Sequence, residues 1–175
     1  MKGRKACATA RPVPNVYLTR TETMAIVYIG SDHAGLGLKA ALVEQLARKG
    51  HQVHDLGPAT SESCDYPVYA KKVCEQVLAE ARDAAPGDVP PAFGILICGT
   101  GIGMSMTANH IPGIRAALCG CEFQARATRM HNNANVLCLG ERVTGPGVAL
   151  DIASIFLDTD FEGGRHLRRV NQIEA

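Results

Sequence analysis

The stretch Gly94-Ile-Leu-Ile-Cys98-Gly99-Thr100-Gly101-Ile102-Gly103 constrains the fold of this chain more than any other. Ile95 to Cys98 is an apolar run without polar alternation, the pattern of a strand buried on both faces of a parallel sheet. Glycines then stand at alternate positions, and a helical pattern follows through Met104, Ser105, Met106 and Ala108. A strand that enters a glycine-rich turn at a helix N-terminus gathers backbone N–H groups around one point, and the helix dipole adds positive potential there. The stretch therefore sets a candidate base, Cys98, beside a candidate oxyanion cradle. It is neither of the commoner phosphate loops. Met104 stands where a dinucleotide fingerprint has its last glycine, the loop follows the third strand and not the first, and no Gly-Lys-Ser/Thr occurs in it.

The rest of the pattern alternates strand and helix. Ala25 to Ile29 reads as a strand, Leu36 to Lys49 as a helix closed by Gly50, and Gln52 to Asp55 as a short second strand. A turn-rich loop spans Gly57 to Pro67. Val68 to Arg82 reads as a helix, and Asp83 to Pro91, with three prolines, as a connector. Beyond the central strand, a helix runs to about His110. Ile114 to Cys119 is a strand, Glu122 to Met130 a helix and Val136 to Leu139 a fifth strand. Helices over Pro146 to Leu157 and Arg165 to Ile173 close the chain. This predicts one α/β domain over 24–175: a three-layer, Rossmann-like, doubly wound sheet of five mainly parallel strands with a C-terminal helix. Residues 1–23 carry basic side chains without apolar periodicity and are expected to form a flexible extension, with Met24 a candidate natural start.

Composition excludes several classes. With 18 Lys and Arg against 17 Asp and Glu, and only 5% aromatic residues, the chain lacks the charge and stacking surface for nucleic acid. No apolar run approaches the roughly 20 residues of a membrane helix. The seven cysteines form no CxxC pair, and Cys119-Gly-Cys121 is too close for the usual zinc spacing. Reduced thiols in a cytoplasmic setting are expected, and no membrane partner.

Ligands of such sheets bind beyond the carboxyl ends of the strands, which sorts the polar residues. Asp32 and His33 follow the first strand, Cys98 to Gly103 the third, and Glu141 and Arg142 the fifth, so these loops should meet at one edge. Asp32 also suits a helix cap. His131-Asn132-Asn133 closes a helix, where Asn suits a C-cap and His complements the dipole; near neutral pH the same imidazole is a general acid–base. Arg165 and Arg169 share a helix face, which can grip a phosphate or simply form a solvated basic end. Tyr66 can bond a ligand or pack. His51, His54 and His110 read as ordinary surface or loop histidines. No His and carboxylate cluster appears at ligand spacing, so no metal is expected.

The ordered set Gly30-Ser31-Asp32-His33-Ala34-Gly35, Asp65-Tyr66-Pro67, Ile97 to Gly103, Gly113-Ile114-Arg115-Ala116, His131 to Val136 and Glu162-Gly163-Gly164-Arg165-His166 resembles the ribose-5-phosphate isomerase B family, which includes the galactose-6-phosphate isomerase subunits. The resemblance covers about Met24 to Ile173. It implies a metal-free, cofactor-free aldose–ketose isomerase that interconverts D-ribose 5-phosphate and D-ribulose 5-phosphate through an enediolate, in the non-oxidative pentose phosphate pathway. By position it makes Cys98 the base, assisted by Thr100, and gives the enediolate oxygen to N–H groups of Gly99, Gly101 and Gly103. His131, with Asp32, opens the furanose ring. Asn132 and Tyr66 place sugar hydroxyls, and His33, Arg142, Arg165 and Arg169 hold the phosphate. Family members are homodimers or homotetramers with sites built across a dimer interface, so His131 and Asn132 are expected to face Cys98 of a neighbouring chain.

Three rivals stand beside it. A hexose 6-phosphate isomerase would act on galactose or allose 6-phosphate. The galactose subunits tend to lack the pairs present here as His131-Asn132 and Arg165-His166. A non-catalytic phosphosugar-binding module would keep the arginines and have no need of Cys98. A thiol hydrolase would use Cys98 with His131 and leave the arginines unexplained.

Overall fold

A computed structural model describes residues 24–85 and 87–175; the extension expected over 1–23 lies outside the described residues. The strands are β1 (Ile26–Ser31), β2 (Gln52–Asp55), β3 (Ala92–Cys98), β4 (Ala116–Leu118) and β5 (Val136–Gly140). They form one sheet in the order β2-β1-β3-β5-β4, and every ladder is parallel. The helices are α1 (Leu36–Arg48), α2 (Tyr66–Glu80), α3 (Ile102–Ala108), α4 (Glu122–Asn132), α5 (Pro146–Asp158) and α6 (Arg165–Ile173). The doubly wound α/β expectation holds.

Alternation along β3 divides the interior into two cores. Phe93, Ile95 and Ile97 face Leu38, Leu42 and Leu46 of α1 and Ile152 and Phe156 of α5. Ala92, Leu96 and Cys98 face Val73 and Val77 of α2 and Met104 and Ala108 of α3. All seven residues of β3 are buried. Covering a strand on both faces is what its unbroken apolar run requires. At roughly 25 cal/mol per Å2 of apolar surface removed from water, these layers supply the main drive to fold.

Element ends follow local chemistry. Asn133 (φ 47°) ends α4 in the left-handed region, as expected of an Asn at a C-cap. Pro146 sits in the first turn of α5, where its missing N–H costs nothing. Several boundaries moved, two of them for a plain local reason. α2 starts at Tyr66, not Val68, because Pro67 is tolerated in a first turn. β4 is shorter than expected: the Ile114 N–H bonds Ile111 O in a turn, and the Arg115 N–H goes to Asn135 Oδ1, so neither residue joins the ladder.

Candidate active site

The β1 connection leads outward to β2, whereas β3 lies on the other side of β1, so the topology reverses between β1 and β3. A crevice opens at the carboxyl ends of strands where such a reversal occurs. The Asp32 N–H donates to Ile97 O across it (3.0 Å), the Glu141 N–H to Cys98 O (3.0 Å) and the Arg142 N–H to Gly99 O (3.0 Å). The three loops meet at one edge.

Cys98 closes β3 with its thiol facing the α2–α3 side, 5% exposed. The chain then turns so tightly that the Gly101 N–H donates back to Cys98 Sγ at 3.0 Å. Gly101 holds φ 78°, and a Cβ there would lie 2.5 Å from Leu118 Cδ1 and 2.9 Å from the Leu139 carbonyl carbon. Only glycine fits both demands. This N–H points at the sulfur, and the Ile102 N–H donates to Thr100 Oγ1 at 3.3 Å. Thr100 Oγ1 accepts this bond and keeps its O–H to donate. It stands exposed at the rim.

The neighbours complete this half. The Arg142 side chain lies over Gly99, whose Cβ would meet Arg142 Cδ at 3.6 Å. The Tyr66 ring lies over Gly103, where a Cβ would come within 2.7 Å of it. Asp32 is buried and caps the short turn after β1, its Oδ1 accepting the Ala34 N–H at 2.9 Å, so the capping reading of Asp32 is the one the contacts display. The His33 Nδ1 accepts the Cys64 N–H at 3.3 Å, which leaves the proton on Nε2, free to donate.

Four expected site residues lie elsewhere in this chain. α4 runs back antiparallel to the strands, so His131 and Asn132, at its end, reach the amino edge of β5. Asn135, just beyond, bonds the N–H of Gly94, which precedes Cys98 by four residues along β3. At about 3.3 Å per residue the two edges are separated by more than 10 Å. Arg165 and Arg169 are exposed on α6, which packs on α4, and they belong to the His131 edge. One chain therefore splits the expected single hollow into a Cys98 half and a His131 half. Of the expected phosphate ligands, His33 and Arg142 lie in the first and Arg165 and Arg169 in the second.

The second half contains groups that the spacing in sequence did not reveal. The His131 and His166 rings stack with centroids 4.4 Å apart and planes 12° apart. Glu162 Oε2 lies 3.9 Å from His131 Nε2 and 3.5 Å from His166 Nε2. His131, Glu162 and His166 thus make a His–carboxylate cluster, with donor atoms within 4.8 Å of one another, where the sequence displayed none. The side chain of His166 is only 7% exposed. Burial pushes its pKa down from the ordinary 6.5; His131, Arg165 and Arg169 push the same way, and Glu162 opposes them. The doublet Gly163-Gly164 (φ 65° and 54°) is the one local signal that this segment turns sharply.

Glu141 stands at the expected edge and has a structural role there. α1 begins at Gly35 with no side-chain cap, and Glu141 supplies the missing carboxylate: Oε2 accepts the Leu38 N–H at 3.1 Å. Its partner is too distant in sequence for any local motif to record. Burial pushes Cys74 and Cys119 up to about 12, and Cys138 well above its usual value.

Comparison with known proteins agrees with the fold. A family model described as ribose/galactose isomerase matches residues 27–173. A putative sugar phosphate isomerase of Bacillus subtilis is 46% identical over 148 residues, 84% of this chain and 93% of that one. Ribose-5-phosphate isomerase B of Escherichia coli is 43% identical over 152 residues, covering 87% and 96% of the two chains. The crystal structure of ribose-5-phosphate isomerase B from Mycoplasma genitalium with bound ribulose-5-phosphate superposes with a TM-score of 0.79 at 41% identity, over 87% of this chain and 96% of that one. The chain belongs to the ribose/galactose isomerase family.

Proposed function

We infer that this protein is a ribose-5-phosphate isomerase, interconverting D-ribose 5-phosphate and D-ribulose 5-phosphate through an enediolate. The observation that carries the inference is the thiol of Cys98, set at the carboxyl end of the central strand with the Gly101 N–H aimed at its sulfur. Moving a proton between C2 and C1 needs a base and a stabilised oxyanion, not a redox group. Cys98 takes the C2 proton and returns it to C1. The Gly101 N–H stabilises the negative charge on sulfur, and the remaining N–H groups of the turn face the enediolate oxygen. Arg142 and His33 Nε2–H stand on the same edge, ready for the substrate's anionic end.

The site is completed by a second copy of this chain. His131, which opens the ring, and Asn132, Arg165 and Arg169 come from the partner and close over Cys98. Two observations support this. The groups that the reaction needs are split between opposite edges of one sheet. The Cys98 edge is also rimmed by exposed apolar side chains, Ile102 (51%), Leu118 (41%) and Val143 (67%), the surface that an interface covers. A reducing, cytoplasmic setting fits the free thiols at Cys64, Cys74, Cys98, Cys119, Cys121 and Cys138. Among the described residues, no helix is long and apolar enough to cross a membrane.

The test is proton exchange at C2 of ribose 5-phosphate in deuterated water, for the parent and Cys98→Ala. The parent exchanges and isomerises; the variant binds the sugar and does neither. Faster turnover of allose or galactose 6-phosphate than of ribose 5-phosphate by the parent would replace this substrate with a hexose phosphate.

A further inference from the structure

The cluster of His131, Glu162 and His166 has the donor types of a zinc centre but not its geometry. An ion must lie near the plane of each ligating ring, and rings stacked 12° from parallel at 4.4 Å cannot both aim a lone pair at one point. The lone pair of His166 is also already engaged, since Arg165 Nε–H donates to His166 Nε2 at 3.3 Å. A guanidinium there repels a cation.

The arrangement does something else. Arg165 leaves His166 Nε2 only as an acceptor, so His166 carries its proton on Nδ1 and presents a neutral flat face. Burial holds that ring still and disfavours its charged form. His131 lies on this face, which fixes the plane of its ring. Its Nε2 lies 3.9 Å from Glu162 Oε2, which also stands 3.5 Å from His166 Nε2; because the Arg165 Nε–H already occupies the His166 lone pair, His131 is the ring whose tautomer the carboxylate can set. A carboxylate facing one ring nitrogen favours the tautomer protonated there and leaves the other nitrogen as the base. The backbone secures the carboxylate, because the Glu162 N–H donates to Met130 O at 3.1 Å, beside His131 itself. The left-handed turn at Gly163 and Gly164 then swings His166 back under the ring, with the His166 N–H on Gly163 O at 3.0 Å. All of these contacts lie within one chain, so the unit reaches a composite site already assembled.

We propose that Glu162 and His166 are positioning residues for ring opening: His166 fixes the plane of the His131 ring, and Glu162 sets its tautomer with the proton on Nε2. This rests on the isomerase reading above. His131 Nδ1 takes the proton from the anomeric hydroxyl, the ring C1–O4 bond breaks as the C1=O bond forms, and O4 takes a proton from solvent. No oxidant or further reactant enters.

The chemistry of the two sugars supplies a test that a merely structural role would not pass. Ribose 5-phosphate closes through O4 and must be opened. Ribulose 5-phosphate has its ketone at C2 and phosphate on O5, so it forms no furanose and arrives open. Initial rates in both directions, and solvent deuterium uptake at C1 of ribulose 5-phosphate, are therefore measured for the parent, Glu162→Gln, His166→Ala and His166→Phe. With Glu162→Gln, kcat/KM falls about tenfold in both directions, as the fixed equilibrium constant requires, whereas deuterium uptake into ribulose 5-phosphate falls less than about twofold, since the enediolate forms from the open ketose without any ring step. His166→Ala reproduces this split between exchange and conversion, and His166→Phe, which keeps the stacked face, restores most of the conversion. Nitrogen-15 spectra of His131 show Nε2–H in the parent and a mixed tautomer in Glu162→Gln. Exchange that falls in step with conversion, no loss of conversion, or an unchanged tautomer overturns the proposal. A parent that turns over neither sugar overturns the isomerase reading instead.

Discussion

The Gly101 backbone N–H donates to Cys98 Sγ at 3.0 Å, inside the turn that ends the central strand. The bond exists because Gly101 occupies left-handed space (φ 78°) in a gap bounded by Leu118 and the Leu139 backbone. Geometry and chemistry are therefore coupled at a residue that has no side chain. Gly101→Ala strains the backbone and meets Leu139 main-chain atoms that cannot move aside. The substitution is expected to cost roughly 2 kcal/mol or more of stability. It should also lower turnover at least tenfold by redirecting the N–H. Urea denaturation and an isomerase assay on the same preparation check the two effects. Full activity with an unchanged midpoint would show that the turn is slack.

Arg129 is a fully buried cation, two residues before His131. Its guanidinium lies 5.0 Å from the Phe93 ring centre and 5.6 Å from that of Phe156, and Nη1 donates to Asn133 Oδ1 and Ala134 O. Arg129→Met retains volume but strands those two acceptors in the core. A loss of about 3 kcal/mol is expected. Denaturation at fixed protein concentration measures it. Because Asn133 and Ala134 form the turn after α4, conversion of the two sugars should fall more than deuterium uptake at C1 of ribulose 5-phosphate, which needs no ring opening.

Much of this architecture can be read from residue patterns, and the exceptions share a cause. The unbroken apolar run at Ile95–Cys98 marks the central strand, and Asn133 and Pro146 mark helix ends, because each signal is local. The cap of α1 is not legible, since Leu38 and Glu141 stand 103 residues apart. The same holds for Glu162 beneath His131, joined only by folding. The split of the site is different. A helix in a parallel sheet returns antiparallel to its strands, so the end of α4 had to lie at the amino edge, away from Cys98. That topological consequence was present in the alternation of strands and helices and becomes plain only when each helix is drawn back across the sheet.

The burial of His166 makes stability depend on pH. Desolvation is the largest cause of its lowered pKa, followed by the facing His131 and then Arg165, with Glu162 opposing. With the native pKa below the unfolded value near 6.5, the unfolded chain takes up a proton first on acidification. Stability from this group is complete above that value. It declines as pH falls below it, and the decline ends once pH passes the native pKa. Thermal midpoints of the parent should drop between about pH 7 and pH 5, and His166→Phe should remove part of that slope. Parallel curves for the two proteins would mean that other groups carry the effect.

The division of the site between two edges of the sheet makes a quantitative prediction for mixed assemblies. Cys98→Ala and His131→Ala are each expected to be severely impaired alone. If every site joins Cys98 of one chain to His131 of another, a mixed dimer has one site lacking both groups and one site that is intact. Random exchange of equal amounts makes half of the dimers mixed, each with one working site of two, so activity should recover to about a quarter of the parent's. If both groups acted within the same chain, every site in the mixture would lack one of them and no activity would return. Subunits exchanged in mild urea and assayed after its removal give the answer. Mixing two preparations of the same variant controls for recovery caused by the exchange itself.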